Sequence, residues 1–166
     1  LLTGLLNRRG MADRIAAEEN RRRRHAGRYA LLSVDLDHFK SINDRFGHAA
    51  GDVVLAAVAT AFAGAVRGVD SVARTGGEEF SVLLPDADAD GAAHMAQRLM
   101  AALEDLTYPT VDVSLRVTAS IGVACCEGGE EPLSALQRRL DVARYAAKAD
   151  GRNRIVHASP AEAAEH

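Results

Sequence analysis

The stretch that decides the fold lies in the middle of the chain and reads Ser71-Val72-Ala73-Arg74-Thr75-Gly76-Gly77-Glu78-Glu79-Phe80-Ser81-Val82-Leu83-Leu84. Two runs that favour β-structure flank a short segment with a double glycine, and this pattern predicts a β-hairpin. Because a hairpin joins antiparallel strands, part of the sheet is expected to be antiparallel. The turn of the hairpin also carries two adjacent acids, Glu78 and Glu79.

Outward from the hairpin, strands and helices alternate along the chain. Residues 29–35 form a short apolar run that ends in Asp35, as expected for a buried strand that delivers a carboxylate at its end. The same kind of pattern predicts helices over 12–24, 38–46, 52–66, 90–106 and 133–148, and strands over 111–125, as one strand or as two with a bend, and over 154–156. The predicted class is α+β with α/β-like alternation, in which helices cover the faces of one mixed sheet.

Composition limits the kind of protein. With 166 residues and 48% hydrophobic content, the chain can bury one substantial core and is too short for two ordinary domains. We predict one domain over 1–157 and a polar tail over 158–166. The 20 Lys and Arg residues against 23 Asp and Glu give a net charge of −3, so no overall positive field indicates a nucleic-acid partner. The four arginines at 21–24 are interpreted as the solvated end of a helix.

The cysteines and the hydropathy pattern favour a reduced, cytoplasmic location. Cys125 and Cys126 are adjacent, which suits neither a mutual disulfide nor a zinc site. Charged residues or glycines interrupt the apolar stretches, so no membrane span and no signal peptide is predicted. The chain starts without Met, and we interpret it as part of a longer protein whose upstream regulatory domain, with any membrane tether, is missing here.

Three carboxylates are expected to converge if the first strand and the hairpin are neighbours. Asp35 ends the first strand, and Glu78 and Glu79 occupy the turn. Hard cations such as Mg²⁺ prefer oxygen ligands, so this group predicts a divalent-metal site. Two such ions, about 3.5 to 4 Å apart, can activate an attacking hydroxyl and stabilise a leaving oxygen. Acids that are simply exposed on a turn remain the alternative from these residues alone.

Residues beside these acids suit the phosphates of a nucleotide. Gly76 and Gly77 lack a Cβ, which permits positive φ and a close approach of the backbone to a phosphate. Lys40, with the backbone amides at the start of its short helix, can hold triphosphate oxygens. For Phe39 alone, a position in the core is the alternative to a ligand contact.

Two further pairs of residues suit the terminal phosphates and the base of a nucleotide. Lys148 and Arg152 flank the end of the last long helix and are candidate ligands of the terminal phosphates, with ordinary helix-end charge as the alternative. Asn43 and Asp52 offer an amide and a carboxylate that match the guanine edge and not the adenine edge. Helix capping is the alternative for Asp52, which opens a predicted helix.

These residues resemble the GGDEF family of diguanylate cyclases, in a variant that reads Gly-Gly-Glu-Glu-Phe. The matching blocks are, in order, Leu2-Thr3-Gly4-Leu5-Leu6-Asn7-Arg8-Arg9, Asp35-Leu36-Asp37-His38-Phe39-Lys40, Asn43-Asp44, Gly47-His48, Gly51-Asp52, Arg74-Thr75-Gly76-Gly77-Glu78-Glu79-Phe80, Ser120-Ile121-Gly122-Val123 and Ala147-Lys148-Ala149-Asp150-Gly151-Arg152-Asn153. The resemblance implies a central, largely antiparallel five-stranded sheet wrapped by helices, similar to nucleotidyl cyclases and polymerase palm domains.

The resemblance also implies an activity. Two such domains face each other, each with one GTP and two Mg²⁺ ions (or Mn²⁺), and condense the two GTP molecules into cyclic di-GMP and two pyrophosphates. It implies metal ligation by Asp35, Glu78 and the Leu36 carbonyl, while Glu79 binds metal or deprotonates the 3'-hydroxyl as the catalytic residue. The implied GTP-binding residues are Phe39, Lys40, Asn43, Asp52, Gly76, Gly77, Lys148 and Arg152.

A second pattern lies upstream of the hairpin. Arg67-Gly68-Val69-Asp70 matches the RxxD inhibitory site of the family, so the resemblance implies that the product binds at Arg67 and Asp70. A guanidinium can grip phosphate and guanine in a bidentate manner. Arg98 matches a position that adds a further arginine to this site in some members, with an exposed helical arginine as the alternative.

Two other functions stay open as alternatives. One is a domain without catalysis that binds GTP or cyclic di-GMP and signals through contacts. The other is an adenylyl-type cyclase or polymerase palm, which would need a base-reading pair different from Asn43 and Asp52.

Overall fold

The predicted hairpin forms one edge of a five-stranded sheet in the computed structural model, which describes residues 4–129 and 131–160. Its strands are β2 (Ser71–Arg74) and β3 (Glu79–Pro85). The central strand β1 (Tyr29–Leu36) pairs antiparallel with β3 on one side and with β4 (Ala119–Cys126) on the other. Strand β5 (Arg154–His157) adds parallel to β4, which gives the order β2-β3-β1-β4-β5. The predicted mixed, largely antiparallel five-stranded sheet is confirmed.

Within the described residues, five helices cover the two faces of the sheet. They are α1 (Arg8–His25), α2 (Phe39–Phe46), α3 (His48–Ala65), α4 (Ala89–Glu104) and α5 (Leu133–Ala149). Alternate side chains of β1 point to opposite faces. Leu32 and Val34 belong to the core cluster shared with α2, α3 and α4, whereas Tyr29 and Leu31 belong to a second cluster with α1 and α5. The domain therefore has three layers, with the sheet in the middle.

Helix α3 begins earlier than its sequence pattern predicts. It begins at His48, directly after Gly47. The φ of 91° at Gly47 interrupts the helical conformation between α2 and α3. Asp52 consequently lies inside the helix and is exposed. Helix capping is thus excluded as the reason for an acid at this position.

The predicted strand over 111–125 is wrong in its first half. Strand β4 begins only at Ala119, because its partner β1 ends at Leu36, which lies opposite Ala119. Residues further upstream have no neighbouring strand and satisfy their backbone groups in turns, in which the amides of Val111 and Asp112 both donate to the Tyr108 carbonyl. The alternation of apolar residues reflects packing of this loop on the core.

The arginine run at the end of α1 is partly buried, contrary to its interpretation as a solvated helix end. Arg22 is 4% exposed and pairs with Glu19, which also accepts a hydrogen bond from the Tyr29 hydroxyl. Burial alone would raise the pKa of Glu19, but hydrogen bonds from Arg22, Tyr29 and Arg23 outweigh it and lower the pKa from 4.5 to about 2. Arg22 thus links the end of α1 to the core, whereas Arg21, Arg23 and Arg24 are exposed, as the interpretation of a solvated helix end predicts.

One helix of the described chain, α3, is long and apolar enough to cross a membrane by length and composition, with a mean hydropathy of 1.4. Its side chains Val54, Val58 and Phe62 are fully buried in the core beneath α4. Packing against the sheet accounts for this composition.

The adjacent cysteines are free thiols, as their spacing predicts. Cys126 is buried and Cys125 is half-buried at the end of β4. Burial raises the pKa of Cys125 to about 11 and also raises that of Cys126. Both thiols are therefore poor nucleophiles at neutral pH.

Candidate functional site

The strand pairing brings the predicted carboxylates to one end of the sheet. Asp35, near the end of β1, lies directly opposite Glu79, the first residue of β3. One residue further along, the Leu36 amide donates a 3.1 Å hydrogen bond to the Glu78 carbonyl. Asp35 and Glu79 are thus brought together, whereas for Glu78 only a backbone contact joins this strand end.

Asp35 is 5% exposed and carries its charge between two cations of α5. The Lys148 ammonium lies 2.8 Å from Oδ1, as an ion pair outside hydrogen-bond geometry, and Arg144 donates a 3.1 Å hydrogen bond to Oδ2. The same Arg144 nitrogen lies 3.6 Å from Glu79 Oε1. A buried carboxylate requires such partners, so these contacts are part of the site's stability.

Arg144 is a site residue that the sequence reasoning missed. It lies one helical turn before Lys148, and residues four apart share one face of a helix. That spacing was the available signal, since a face that presents Lys148 to Asp35 presents Arg144 there as well.

The turn of the hairpin is braced by Arg74, another residue without a predicted role. Its Nε donates to the carbonyls of Gly76 and Gly77, at 3.1 and 3.0 Å. Neither glycine has a positive φ, so the expected conformational reason for them is wrong. A Cβ on Gly76 would lie 3.0 Å from Glu79 Oε2, whereas one on Gly77 would meet nothing within 4 Å. The first glycine makes room for Glu79, and the second leaves an open surface.

A pocket of 370 Å³ lies beside this turn and collects most of the predicted nucleotide residues. Its lining residues are Phe39, Lys40, Asn43, His48, Asp52, Leu55, Arg74, Gly77 and Glu78. The predicted base-reading pair, Asn43 and Asp52, therefore shares one cavity with Lys40. Phe39 is 8% exposed and belongs to the core, and it also lines the pocket.

Asn43, which lines this pocket, has one unpaired side-chain atom. Its Oδ1 is buried and has no hydrogen-bond partner, a condition that buried polar atoms rarely keep without a ligand or water. Gly51 lies directly against the amide, because a Cβ at this position would overlap Asn43 Oδ1. The glycine in the Gly51-Asp52 block thus makes room for the Asn43 side chain.

Arg152 is placed differently from Lys148. It lies in the turn after α5 with a φ of 62°, is exposed, and its side chain makes no hydrogen bond or ion pair within the described ranges. The turn is held by the Arg152 amide, which donates to the Ala147 carbonyl at 2.9 Å. Its guanidinium is free to meet an anion from solvent.

Asp37 organises this end of the sheet, a role that the sequence reasoning did not assign. It is 3% exposed and accepts hydrogen bonds from Thr118 Oγ1, Ser120 Oγ and the Asn153 amide, at 2.7, 2.7 and 2.9 Å. These bonds join the end of β1 to β4 and to the turn that carries Arg152. The sequence signal was its place in the Asp35-Leu36-Asp37 block.

Comparison with known proteins agrees with this geometry. The family described as "Diguanylate cyclase, GGDEF domain" matches residues 1–154. The chain belongs to this family. Diguanylate cyclase DgcP of Pseudomonas aeruginosa is 42% identical over 154 residues, which are 93% of this chain and 23% of that protein.

Solved structures of the family share the fold. Diguanylate cyclase SiaD of Pseudomonas aeruginosa, in complex with its activator SiaC, superposes with a TM-score of 0.87 and 39% identity over 95% of this chain and 60% of that one. The GGDEF domain of DgcB from Caulobacter crescentus, in complex with c-di-GMP, gives 0.87 and 31% over 95% and 93%. This chain thus spans less than a quarter of the curated relative DgcP.

The Arg67–Asp70 pattern of the GGDEF family forms a closed turn here. Arg67 donates to both carboxylate oxygens of Asp70, at 2.9 and 3.2 Å, and its Nη2 also donates to the Pro85 carbonyl at 3.2 Å. The Arg67 side chain remains half exposed. Arg98 on α4 is exposed and has no ion pair with either residue in the described part of the chain.

The donor set can be compared with the metal on which diguanylate cyclases generally depend. Three carboxylates and the Leu36 carbonyl lie at adjacent strand ends, and all are hard oxygen donors. The Asp35 carboxylate is paired with Arg144 and Lys148. The described residues contain no group of three His, Cys, Asp or Glu side chains already placed to hold a metal ion. The residues therefore fit a metal in kind, while Asp35 is paired with these two cations.

Proposed function

We propose that this domain condenses two GTP molecules into cyclic di-GMP and two pyrophosphates. The observation that carries the proposal is the meeting of two features at one sheet end: the opposed Asp35 and Glu79, and the adjoining pocket with Asn43 and Asp52. The unpaired Asn43 Oδ1 and the Asp52 carboxylate can accept hydrogen bonds from the amino group and ring N–H of guanine.

Each residue has a defined part in the reaction. Lys40 and Arg152 bind phosphate oxygens, and Lys148 moves from Asp35 to the phosphates. Asp35, Glu78 and the Leu36 carbonyl would hold up to two Mg²⁺ or Mn²⁺ ions, which when bound neutralise phosphate charge. Glu79 accepts the proton of the 3'-hydroxyl as its oxygen bonds to the α-phosphorus of the other GTP, and the bond to pyrophosphate breaks.

The reaction needs two copies of the domain, because one copy holds only one GTP. We therefore propose a homodimer in which two sites face each other, so that association supplies the alignment of the reactants. The catalytic unit covers residues 1–157. An upstream regulatory domain, as one source of that alignment, and a cytoplasmic location belong to the same proposal.

Feedback inhibition is proposed at Arg67 and Asp70, with Arg98 as a further contact. The half-exposed Arg67 guanidinium is already oriented by Asp70. Cyclic di-GMP would offer phosphate and guanine to these groups. If so, Arg67→Ala makes the rate insensitive to added product, and unchanged inhibition contradicts this assignment.

The deciding experiment incubates concentrated protein with GTP and Mg²⁺ and resolves the products by chromatography, with ATP in a parallel reaction. Cyclic di-GMP is expected from GTP, and no cyclic product from ATP. Glu79→Gln is expected to lower the rate by a factor of about 10² to 10⁴ as a proton acceptor is lost. The matched control is Glu104→Gln, an exposed acid at the end of α4.

Three results would contradict the proposal. Ordinary turnover by Glu79→Gln would show that the Glu79 carboxylate is not the proton acceptor. GTP binding without any product favours the alternative of a receptor that signals through contacts. A cyclic product from ATP favours an adenylyl-type reaction.

A further inference from the structure

We propose that Arg144 is an internal counter-cation of the metal site, which a divalent cation must displace from Asp35, and that Arg144 thereby sets the metal affinity of the domain. The inference rests on the proposed function of Asp35 as a metal ligand, with the Glu79 carboxylate beside it. It concerns a residue of α5 to which neither the motif nor the reaction gives a part.

The contacts of Arg144 put its charge where a metal ion would have to bind. One nitrogen, Nη1, lies 3.1 Å from Asp35 Oδ2 and 3.6 Å from Glu79 Oε1, between the two carboxylates that face each other across β1 and β3. The side chain is 23% exposed, so water screens these contacts only in part. A metal ion on the same oxygens would meet a positive charge at contact distance.

The position of Arg144 is fixed by the packing of α5 on the sheet. A Cβ on Gly122 of β4 would lie 2.6 Å from the Arg144 backbone nitrogen and 2.8 Å from the Leu140 carbonyl. The glycine thus lets the helix backbone rest directly on the strand next to β1. At this short distance between α5 and the sheet, the Arg144 guanidinium reaches the Asp35 carboxylate.

Two features make the contact replaceable. The Nε of Arg144 is buried and has no hydrogen-bond partner, so the guanidinium is not fully satisfied in this position. A second carboxylate, Asp141, lies 3.9 Å from its other terminal nitrogen and is largely exposed. When a metal takes Asp35, the guanidinium can turn to Asp141 without losing an ionic partner.

Lys148 also neutralises Asp35, but it has another destination in the reaction, since the triphosphate can bind its ammonium. Arg144 has no proposed part in phosphate binding, and its alternative partner Asp141 lies on the same helix, so its charge competes with the metal for Asp35. Removal of that charge is expected to strengthen metal binding, whereas loss of a ligand would weaken it. The sign of the change in metal affinity therefore distinguishes a counter-cation from a residue that only supports the structure of the site.

The test measures Mn²⁺ binding to nucleotide-free protein by the electron paramagnetic resonance signal of the free ion. Arg144→Leu is expected to bind Mn²⁺ about tenfold more tightly, the size typical of one partly screened charge pair. Asp141→Asn, an exposed substitution, is expected to weaken binding about twofold because the displaced guanidinium loses its second partner. Arg138→Leu, which removes a charge elsewhere on α5, is the matched control and should leave the affinity unchanged.

Asp35→Asn separates this inference from the function on which it rests. If Mn²⁺ binding in the wild type is lost in Asp35→Asn but is equal or weaker in Arg144→Leu, the counter-cation role is overturned and the metal site stands. If Mn²⁺ binds equally in wild type and Asp35→Asn, the metal site itself is wrong and the inference falls with it. The Asp141→Asn result decides the question if Arg144→Leu does not fold.

Discussion

Substitution of Asp37 by alanine is expected to destabilise the domain at the end of the sheet that carries the site. The carboxylate is 3% exposed and receives three hydrogen bonds, two from hydroxyls of Thr118 and Ser120 and one from the Asn153 amide. Alanine removes all three acceptors at once. The donors differ in how well water can replace the lost partner.

The loss of stability follows from these differences. Ser120 is fully buried, so its hydroxyl loses a charged acceptor outright, which costs about 2 kcal/mol. Thr118 is half-buried and Asn153 is exposed, so water partly replaces the carboxylate there and the two together cost about 1 kcal/mol. The expected loss in the free energy of unfolding is therefore about 3 kcal/mol.

Urea denaturation followed by circular dichroism measures this loss. Asp44→Ala is the matched control, because Asp44 is an exposed acid of α2 with no side-chain partner in the described chain, and it should change the free energy of unfolding by less than about 0.5 kcal/mol. The affinity for GTP should also fall, since the Asn153 bond holds the turn that carries Arg152. A loss below about 1 kcal/mol for Asp37→Ala would refute the reasoning about buried acceptors.

Two further substitutions test the packing of the outer helices. Glu19→Gln removes a carboxylate whose pKa is lowered from 4.5 to about 2, so its stabilising contribution of about 3 kcal/mol is complete above pH 4.5 and is lost as the pH falls toward 2. The difference in unfolding free energy between wild type and Glu19→Gln should shrink over that interval, and a constant difference in an acid titration speaks against the network. Gly122→Ala should cost about 3 kcal/mol in thermal unfolding, because its Cβ meets the backbone of Arg144 and Leu140. Gly64→Ala in α3, where a Cβ meets nothing within 4 Å, should instead stabilise by up to about 1 kcal/mol, and equal effects would contradict the packing argument.

Local patterns in the sequence were sufficient for the hairpin and the central strand. The double glycine at 76–77 marked the turn, and the apolar run that ends in Asp35 marked a strand buried on both faces. Strand length was not predictable in the same way. Alternation over 111–117 looked like β-structure, but a strand needs a neighbour, and β1 ends opposite Ala119.

Side-chain partners depended on tertiary contacts that no local pattern contains. The pocket with Asn43 and Asp52 was expected from residue type and from the family resemblance, and the structure brings both residues together. Arg144 was missed because its partner Asp35 lies 109 residues away and on another layer of the fold. Arg22 was predicted to be solvated, but it is buried because Glu19 neutralises its charge. Glu19 in turn accepts a hydrogen bond from Tyr29.

The three layers divide the site between the two faces of the sheet. Asp35 follows Tyr29 and Leu31 on the face covered by α5, whereas Asn43 and Asp52 belong to α2 and α3 on the opposite face. Under the proposed function, base preference would depend on α2 and α3, and metal affinity on α5. Libraries in α2 and α3 are then expected to change the nucleotide that is accepted, and libraries in α5 to tune the metal requirement, without shared positions.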